Sequence, residues 1–312
     1  MSPTDQPALA PGSTVAVIGL GHIGGPMAAN LVAGGYRVRG FDLAPEALAE
    51  AQAAGVEIAA DVPRGGAGGR RPSSRRCRAG RSYSTSTEAR TAWVANAGVG
   101  ALLIDTSTID VEEARTASRE ATEAGLLAVD APLSGGVVGA KAGTLAFMVG
   151  GSAEAFERAQ PLLAVLGSRA VHCGPPGSGQ AVKLCNNMLL AIHQIGVAEA
   201  FALAQNLGVE AQAFYDVASV ATGACWALTT NCPVPGPVDG SPSARGYEPG
   251  FAVSLMNKDL GLAISAAERT GTETELGHHA QRLYAAIGEG SDAGRDFSVV
   301  YRGIAERSGL EP

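Results

Sequence analysis

Gly19-Leu20-Gly21-His22-Ile23-Gly24 sets three glycines at the spacing that lets backbone, rather than side chain, meet a phosphate. In such a turn Gly19 makes the tight bend, Gly21 lets the chain approach a pyrophosphate, and Gly24 lets the next helix pack on the sheet. The helix start behind it offers N–H groups and partial positive charge to a diphosphate. Asp42 ends the following apolar run, where its carboxylate can accept hydrogen bonds from both adenosine ribose hydroxyls and repel a 2′-phosphate. NAD is therefore expected over NADP, with Arg37 and Arg39 as nearby charges that argue the other way. The plainer alternative is a tight strand-to-helix turn that binds nothing.

Ser134-Gly135-Gly136 follows another apolar run, and two glycines behind a serine let consecutive N–H groups and one hydroxyl converge on a carboxylate. An ordinary glycine turn explains the same residues. Lys183 and Asn187 stand four apart in a long apolar helical pattern, hence on one face. A lysine there is commonly a snorkelling surface residue. This one, however, opens the helix leaving an interdomain hinge, where the cleft of an open α/β sheet is expected. Dried in such a cleft, its amine would lose basicity and could exchange a proton with a substrate oxygen. Lys258-Asp259 is a weaker pair that a solvated helix face explains equally well.

Other chemistries fit poorly. His22, His172, His193, His278 and His279 show no metal-ligand spacing, so no metal is expected. Cys77, Cys173, Cys185, Cys225 and Cys232 form no C-x-x-C pair and read as reduced, buried apolar thiols of a cytoplasmic protein. Ser134 lacks the Gly-x-Ser-x-Gly setting of a hydrolase nucleophile.

The elements that must position these residues follow from apolar patterning. Short apolar runs at 14–19, 36–41, 56–59, 101–105, 126–130 and 145–149 read as strands, and 23–33, 45–54, 111–124 and 153–166 as helices. That alternation predicts an α/β fold, with an N-terminal doubly wound Rossmann-type sheet over 13–176. Gly174-Pro-Pro-Gly-Ser-Gly179 punctuates the chain, and strand signals then stop. Residues 177–312 are expected to form an all-helical C-terminal domain for substrate binding and oligomerisation, entered by a long interdomain helix over 180–207. Further helices are expected near 210–220, 251–269, 272–287 and 296–307. The proline-rich stretch 232–250 is a loop of a length usually tied to function.

A chain of 312 residues suffices for two such domains, and 46% hydrophobic with 17% charged residues marks a packed globular protein. A net charge of −7 disfavours nucleic acid and anionic membrane as partners. No targeting leader is read at the start, and no apolar stretch long enough to span a bilayer.

One stretch is anomalous. From Pro63 to Ala92 there is no Val, Ile, Leu, Met, Phe or Trp, although a fourth buried strand is due there. Arg64 to Arg90 instead holds eight arginines against one acid, Glu88. A solvated or disordered basic insert is one reading. The favoured one is translation out of frame: synonymous codons for 72–93 can be chosen so that a shifted frame reads VITTMPRRPLVLDVYGGTDGL, which has the pattern of the missing strand, loop and helix.

Taken together, the motifs resemble the β-hydroxyacid dehydrogenase family. The likeness runs through 19–31, Leu103-Ile-Asp-Thr-Ser-Thr-Ile109, 130–136, 143–151, Gly179-Gln-Ala-Val-Lys-Leu-Cys-Asn-Asn-Met188 and Lys258-Asp-Leu-Gly-Leu262, with 225–236 similar to its hydroxyisobutyrate branch. The resemblance implies NAD-linked oxidation of 3-hydroxyisobutyrate, a small hydroxy-carboxylate, to methylmalonate semialdehyde in valine breakdown. By the same likeness Lys183 would take the hydroxyl proton, Ser134, Gly135 and Gly136 would hold the carboxylate, and Asn187 would orient the substrate. Thr108 and Lys258 would contact the cofactor, and the chain would assemble as a homodimer or homotetramer. The rival readings are a sibling acting on tartronate or succinate semialdehyde, and an inactive binding or assembly protein lacking the fourth strand.

Overall fold

The computed structural model describes residues 9–59, 97 and 100–311. The anomalous stretch 63–92, with its basic-insert and frameshift readings, lies outside them. The chain divides into two compact units, Met1–Lys183 and Leu184–Pro312. That division falls within the long helix, a few residues beyond the Pro/Gly cluster.

The first unit opens with parallel strands β1 (Thr14–Ile18), β2 (Arg37–Phe41) and β3 (Glu57–Ile58), in the order β1-β2-β3. Helices α1 (Gly24–Ala33) and α2 (Pro45–Ala53) make the crossovers. A second sheet holds β4 (Leu102–Asp105), β5 (Leu127–Asp130), β6 (Leu133–Ser134), β7 (Leu145–Gly151) and β8 (Gly167–Gly174). β4 and β5 are parallel and in register, so Asp105 lies beside Asp130 at the strands' C-terminal ends. The ends of parallel strands are where open α/β sheets bind ligands.

Helices α3 (Val111–Glu123), α4 (Gly136–Ala142) and α5 (Ala153–Leu166) complete this unit. The Asp110 carboxylate accepts from Glu112 N–H at 2.8 Å to start α3, and Ser152 Oγ accepts from Ala155 N–H at 3.1 Å to start α5. Such caps stabilise a helix by about 1 kcal/mol each. The core is Met27, Leu31, Val38, Leu145, Phe147 and Leu163, all at most 7% exposed.

Three local features go beyond what the apolar patterning gave. β7 pairs antiparallel with β5 and β6 and parallel with β8, so the second sheet is mixed. β8 is a strand, although its polar Ser168, Arg169 and His172 break the apolar run of a buried one. Finally, Gly136 opens a short helix where a glycine turn was the plain reading.

The second unit, among described residues, carries no strand beyond an isolated Ala252–Asp296 bridge. Helix α6 (Ser178–Asn206) begins in the first unit and runs 29 residues, about 44 Å at 1.5 Å per residue. Then follow α7 (Ala211–Ala218), α8 (Trp226–Thr229), α9 (Val253–Thr270), α10 (Glu275–Gly288) and α11 (Val300–Arg307). Phe201, Met256, Tyr284, Phe297 and Tyr301 form the core, each at most 1% exposed.

By length and composition α6 could cross a membrane, which corrects the sequence reading that no stretch could. Its apolar residues have another use: Ala191, Ile195, Ala198 and Phe201 pack into the helical core. Polar Gln180, Asn187 and Gln194 are also buried along it, which suits a protein interior better than lipid.

The proline-rich loop is tied down from within. Asp296, fully buried, accepts from Gly250 N–H and Phe251 N–H, each at 3.0 Å, and from Asn231 Nδ2 at 3.1 Å. Tyr247 Oη donates to Pro233 C=O at 2.9 Å.

Candidate functional site

The glycine turn has the geometry its sequence requires. Gly19 sits at φ 89°, a region that excludes most side chains, and its N–H donates to Phe41 C=O at 2.9 Å. A Cβ on Gly24 would run into the Gly19 carbonyl, so glycine is obligatory where the helix closes on the turn. A Cβ on Gly21 would meet nothing within 4 Å, so the backbone there faces open space that a side chain would fill. The N-cap of α1 is Ile23, which makes no side-chain cap, so no capping side chain screens the helix start from an anion. Gly21 and His22 are exposed, Ile23 partly so and Leu20 buried. These residues fit a dinucleotide pyrophosphate.

Asp42 locks the turn to β2. Its Oδ2 accepts from Leu20 N–H at 2.6 Å, while Oδ1 accepts from Leu43 N–H at 2.6 Å and Ala44 N–H at 2.9 Å. The carboxylate is thus held at the tip of β2, still partly exposed, beside the turn it would share with a ribose. Both nearby arginines are engaged elsewhere. Arg37 Nε donates to Gly12 C=O at 3.1 Å, and Arg39 Nε lies 3.2 Å from Glu57 Oε1.

Around the ends of β4 and β5 the carboxylates turn back on the backbone. Asp105 Oδ1 accepts from Ser107 N–H at 2.9 Å, shaping the loop that carries the half-buried Thr108. Asp130, 6% exposed, accepts from Gly177 N–H at 2.7 Å and from Gln180 N–H at 2.9 Å. It therefore caps α6 with a full negative charge at the positive end of the helix. The contact is close: a Cβ on Gly150 or Gly179 would collide with the Asp130 carboxylate. Burial pushes the neighbouring Cys173 thiol up; a backbone hydrogen bond at Val149 works against that shift and the Asp130 charge adds to it.

One turn into α6, Lys183 is only 7% exposed. Asn187, one turn further, is 2% exposed, and its Nδ2 donates to Asp259 Oδ2 at 2.6 Å. A carboxylate can only accept, so this bond fixes which way the amide points. Lys258 Nζ lies 3.4 Å from Asp259 Oδ1, with the lysine side chain 46% exposed and the aspartate 3%. The 258–259 pair is thus a buried anchor for Asn187 as well as a helix-surface charge.

Ser134 ends β6 opposite Ala146, and Gly135 and Gly136 follow at φ 127° and 59° as α4 begins. His172 stacks on Phe156 at 4.9 Å and bonds Gly151 C=O at 2.9 Å, a structural role. Among the described residues no group of three or more His, Cys, Asp or Glu side chains could hold a metal.

Sequence reasoning assigned no role to Asp130 or Gln180 and weighed Asp259 only as half of a weaker pair with Lys258. The available signal was a polar residue inside an otherwise apolar pattern: Gln180 at the start of α6, and acids at the end of β5 and directly after Lys258.

Comparison with known proteins agrees with this geometry. Residues 14–174 match the family described as the NAD binding domain of 6-phosphogluconate dehydrogenase. Residues 177–304 match that described as NAD-binding of NADP-dependent 3-hydroxyisobutyrate dehydrogenase. A probable 3-hydroxyisobutyrate dehydrogenase of Mycobacterium tuberculosis is 46% identical over 304 residues, covering 95% of this chain and 99% of its own. An NAD-dependent L-serine dehydrogenase of Pseudomonas aeruginosa is 42% identical over 288 residues, covering 92% and 96%. The structure of the Mycobacterium tuberculosis 3-hydroxyisobutyrate dehydrogenase with L-serine superposes with a TM-score of 0.84 at 44% identity, over 94% of this chain and 99% of that one. With likeness at this level along both units, the chain belongs to the 3-hydroxyisobutyrate dehydrogenase family of NAD-dependent hydroxyacid dehydrogenases.

Proposed function

We propose that the chain oxidises 3-hydroxyisobutyrate to methylmalonate semialdehyde, as valine breakdown requires, with Lys183 as the group that takes the hydroxyl proton. The observation that carries this reading is the burial of Lys183, at 7% exposure, on a helix whose first turn is bonded to the sheet's C-terminal edge. When bound, the oxidised nicotinamide supplies the hydride acceptor. The C3–H bond breaks with both its electrons, the O–H proton passes to Lys183 Nζ, and the C–O bond becomes a carbonyl.

In this reading Ser134, Gly135 and Gly136 hold the substrate carboxylate, and Asn187 orients the substrate with an amide direction set by Asp259. Gly19 to Gly24 and Asp42 bind the dinucleotide, with Thr108 and Lys258 as further contacts. Asp42, together with the engagement of Arg39 by Glu57, favours NAD over NADP. We place the enzyme in the cytoplasm as a homodimer or homotetramer, which light scattering would test.

A second substrate has support in the relatives named for or solved with L-serine. L-serine and 3-hydroxyisobutyrate share a primary C3 hydroxyl and a C1 carboxylate and differ at C2, an ammonium against a methyl. The test is NADH formation with each substrate by the wild type and by Lys183→Ala. The reading expects a higher kcat/KM for 3-hydroxyisobutyrate. It also expects Lys183→Ala to lose about a hundredfold or more in kcat, with NAD affinity within about twofold. Unchanged turnover in Lys183→Ala would remove the lysine from the reaction, and a preference for L-serine would replace the substrate.

A further inference from the structure

Gln180 is completely buried in the first turn of α6, where an apolar residue would pack without the cost of dehydrating an amide. Both ends of that amide are used on a single stretch of the first unit. Its Nε2 donates to Ser107 C=O at 2.7 Å, and its Oε1 accepts from Ile109 N–H at 3.1 Å. The side chain therefore bonds the loop after β4 as a neighbouring strand would, one donor and one acceptor, straddling Thr108. The partners also fix the amide's direction, because a carbonyl accepts and an N–H donates.

The backbone of the same residue is fixed independently, since Gln180 N–H donates to Asp130 Oδ2 at 2.9 Å. One residue thus joins three points: the end of β5, the Thr108 loop and the turn of α6 that leads to Lys183. Lys183 lies three residues on, about one turn, so its Cα has little freedom relative to Thr108 once Gln180 is seated.

We propose that Gln180 is a positioning residue, acting as a clamp that sets Lys183 in register with the Thr108 loop. The inference rests on the proposed roles of Lys183 in proton transfer and Thr108 at the cofactor. Its own content is the coupling between the two. Purely structural packing would be satisfied by a side chain of equal size, whereas the clamp needs the amide.

Gln180→Met keeps the length and approximate bulk while removing donor and acceptor. In NAD-free protein, amide hydrogen exchange at Ile109 is expected to rise at least tenfold, with exchange in β7 unchanged. In steady-state assays kcat is expected to fall tenfold or more while the KM for the hydroxyacid stays within twofold. In a Lys183→Ala background the same change should cost less than twofold, because Gln180 acts through the lysine. Unchanged exchange at Ile109, or an equal fold loss with and without Lys183, overturns the proposal.

If Gln180→Met does not fold, Gln180→Glu at pH 8 replaces it. The carboxylate still accepts from Ile109 but repels the Ser107 carbonyl, and exchange across 106–110 should rise. Wild-type exchange in that variant also overturns the clamp. Turnover surviving in Lys183→Ala would defeat the reading of the reaction but leave the exchange result to judge Gln180 alone.

Discussion

Replacing Asp130 by asparagine tests the anchoring of α6 directly. The carboxylate accepts two backbone N–H bonds, at 2.7 and 2.9 Å, one on each oxygen. Asparagine retains one acceptor oxygen and turns an NH2 toward a backbone donor, so at least one bond is lost. A hydrogen bond to a charged group contributes about 1.5–3 kcal/mol. Removing a negative charge from a helix N-terminus adds about 0.3–1 kcal/mol. The net cost is therefore about 2–4 kcal/mol. For a unit of this size each kcal/mol moves Tm by about 2–4 °C, so the first unit should melt about 4–16 °C lower. Calorimetry without NAD would read the change, and hydrogen exchange should assign it to the first turn of α6. A Tm within about 2 °C of wild type would refute the argument, because two such bonds cannot be disturbed in a buried site at that cost.

Asp42→Ala removes the acceptor for Leu20, Leu43 and Ala44 N–H together with the group that repels a 2′-phosphate. NAD affinity should weaken about tenfold or more and discrimination against NADP should narrow, as measured by fluorescence titration with both dinucleotides; equal NAD affinity would contradict the ribose assignment. Alkaline pH should destabilise the helical unit. Burial pushes the Cys232 thiol up from its ordinary 9.0 to about 11, and burial raises the Tyr284 hydroxyl as well. The unfolded chain then loses these protons first, so the thiol's contribution is complete below about pH 9 and is lost as pH climbs toward about 11, while that of Tyr284 begins to fall only above its ordinary 10.0. Urea titrations at pH 8 and 10.5 should show a fall, and Cys232→Ala should reduce it by about 2 kcal/mol or less; an identical fall in Cys232→Ala would exclude the thiol as a source.

Much of the first unit was legible because its strands are short apolar runs bounded by glycine and its helices begin at recognisable residues such as Asp110 and Ser152. The glycine turn and Asp42 were legible because their function depends on residue type at fixed spacing. β8 was not, since one strand neighbour and partial exposure allow it to carry Arg169 and His172. Helix α4 was hidden by Gly135, Gly136 and Gly139, poor helix formers that mask the pattern until the tertiary contacts are known. The roles of Asp130 and Gln180 were out of reach for a different reason. Their partners lie 47 to 73 residues away, and side-chain hydrogen bonds across that distance leave no periodic trace. Lys183 was singled out from its place in the chain, and its burial is a property only the fold supplies.

The paired approach of Gly150 and Gly179 to the Asp130 carboxylate has a consequence for anyone diversifying this scaffold. In a saturation library selected for folding alone, both positions should come back nearly invariant, with even alanine depleted. A few ångströms along the same helix, the outward-facing Val182, Cys185 and Asn186 should accept broad replacement. Mutational latitude would then change abruptly within two turns, and diversity is better spent on the outer side of that boundary.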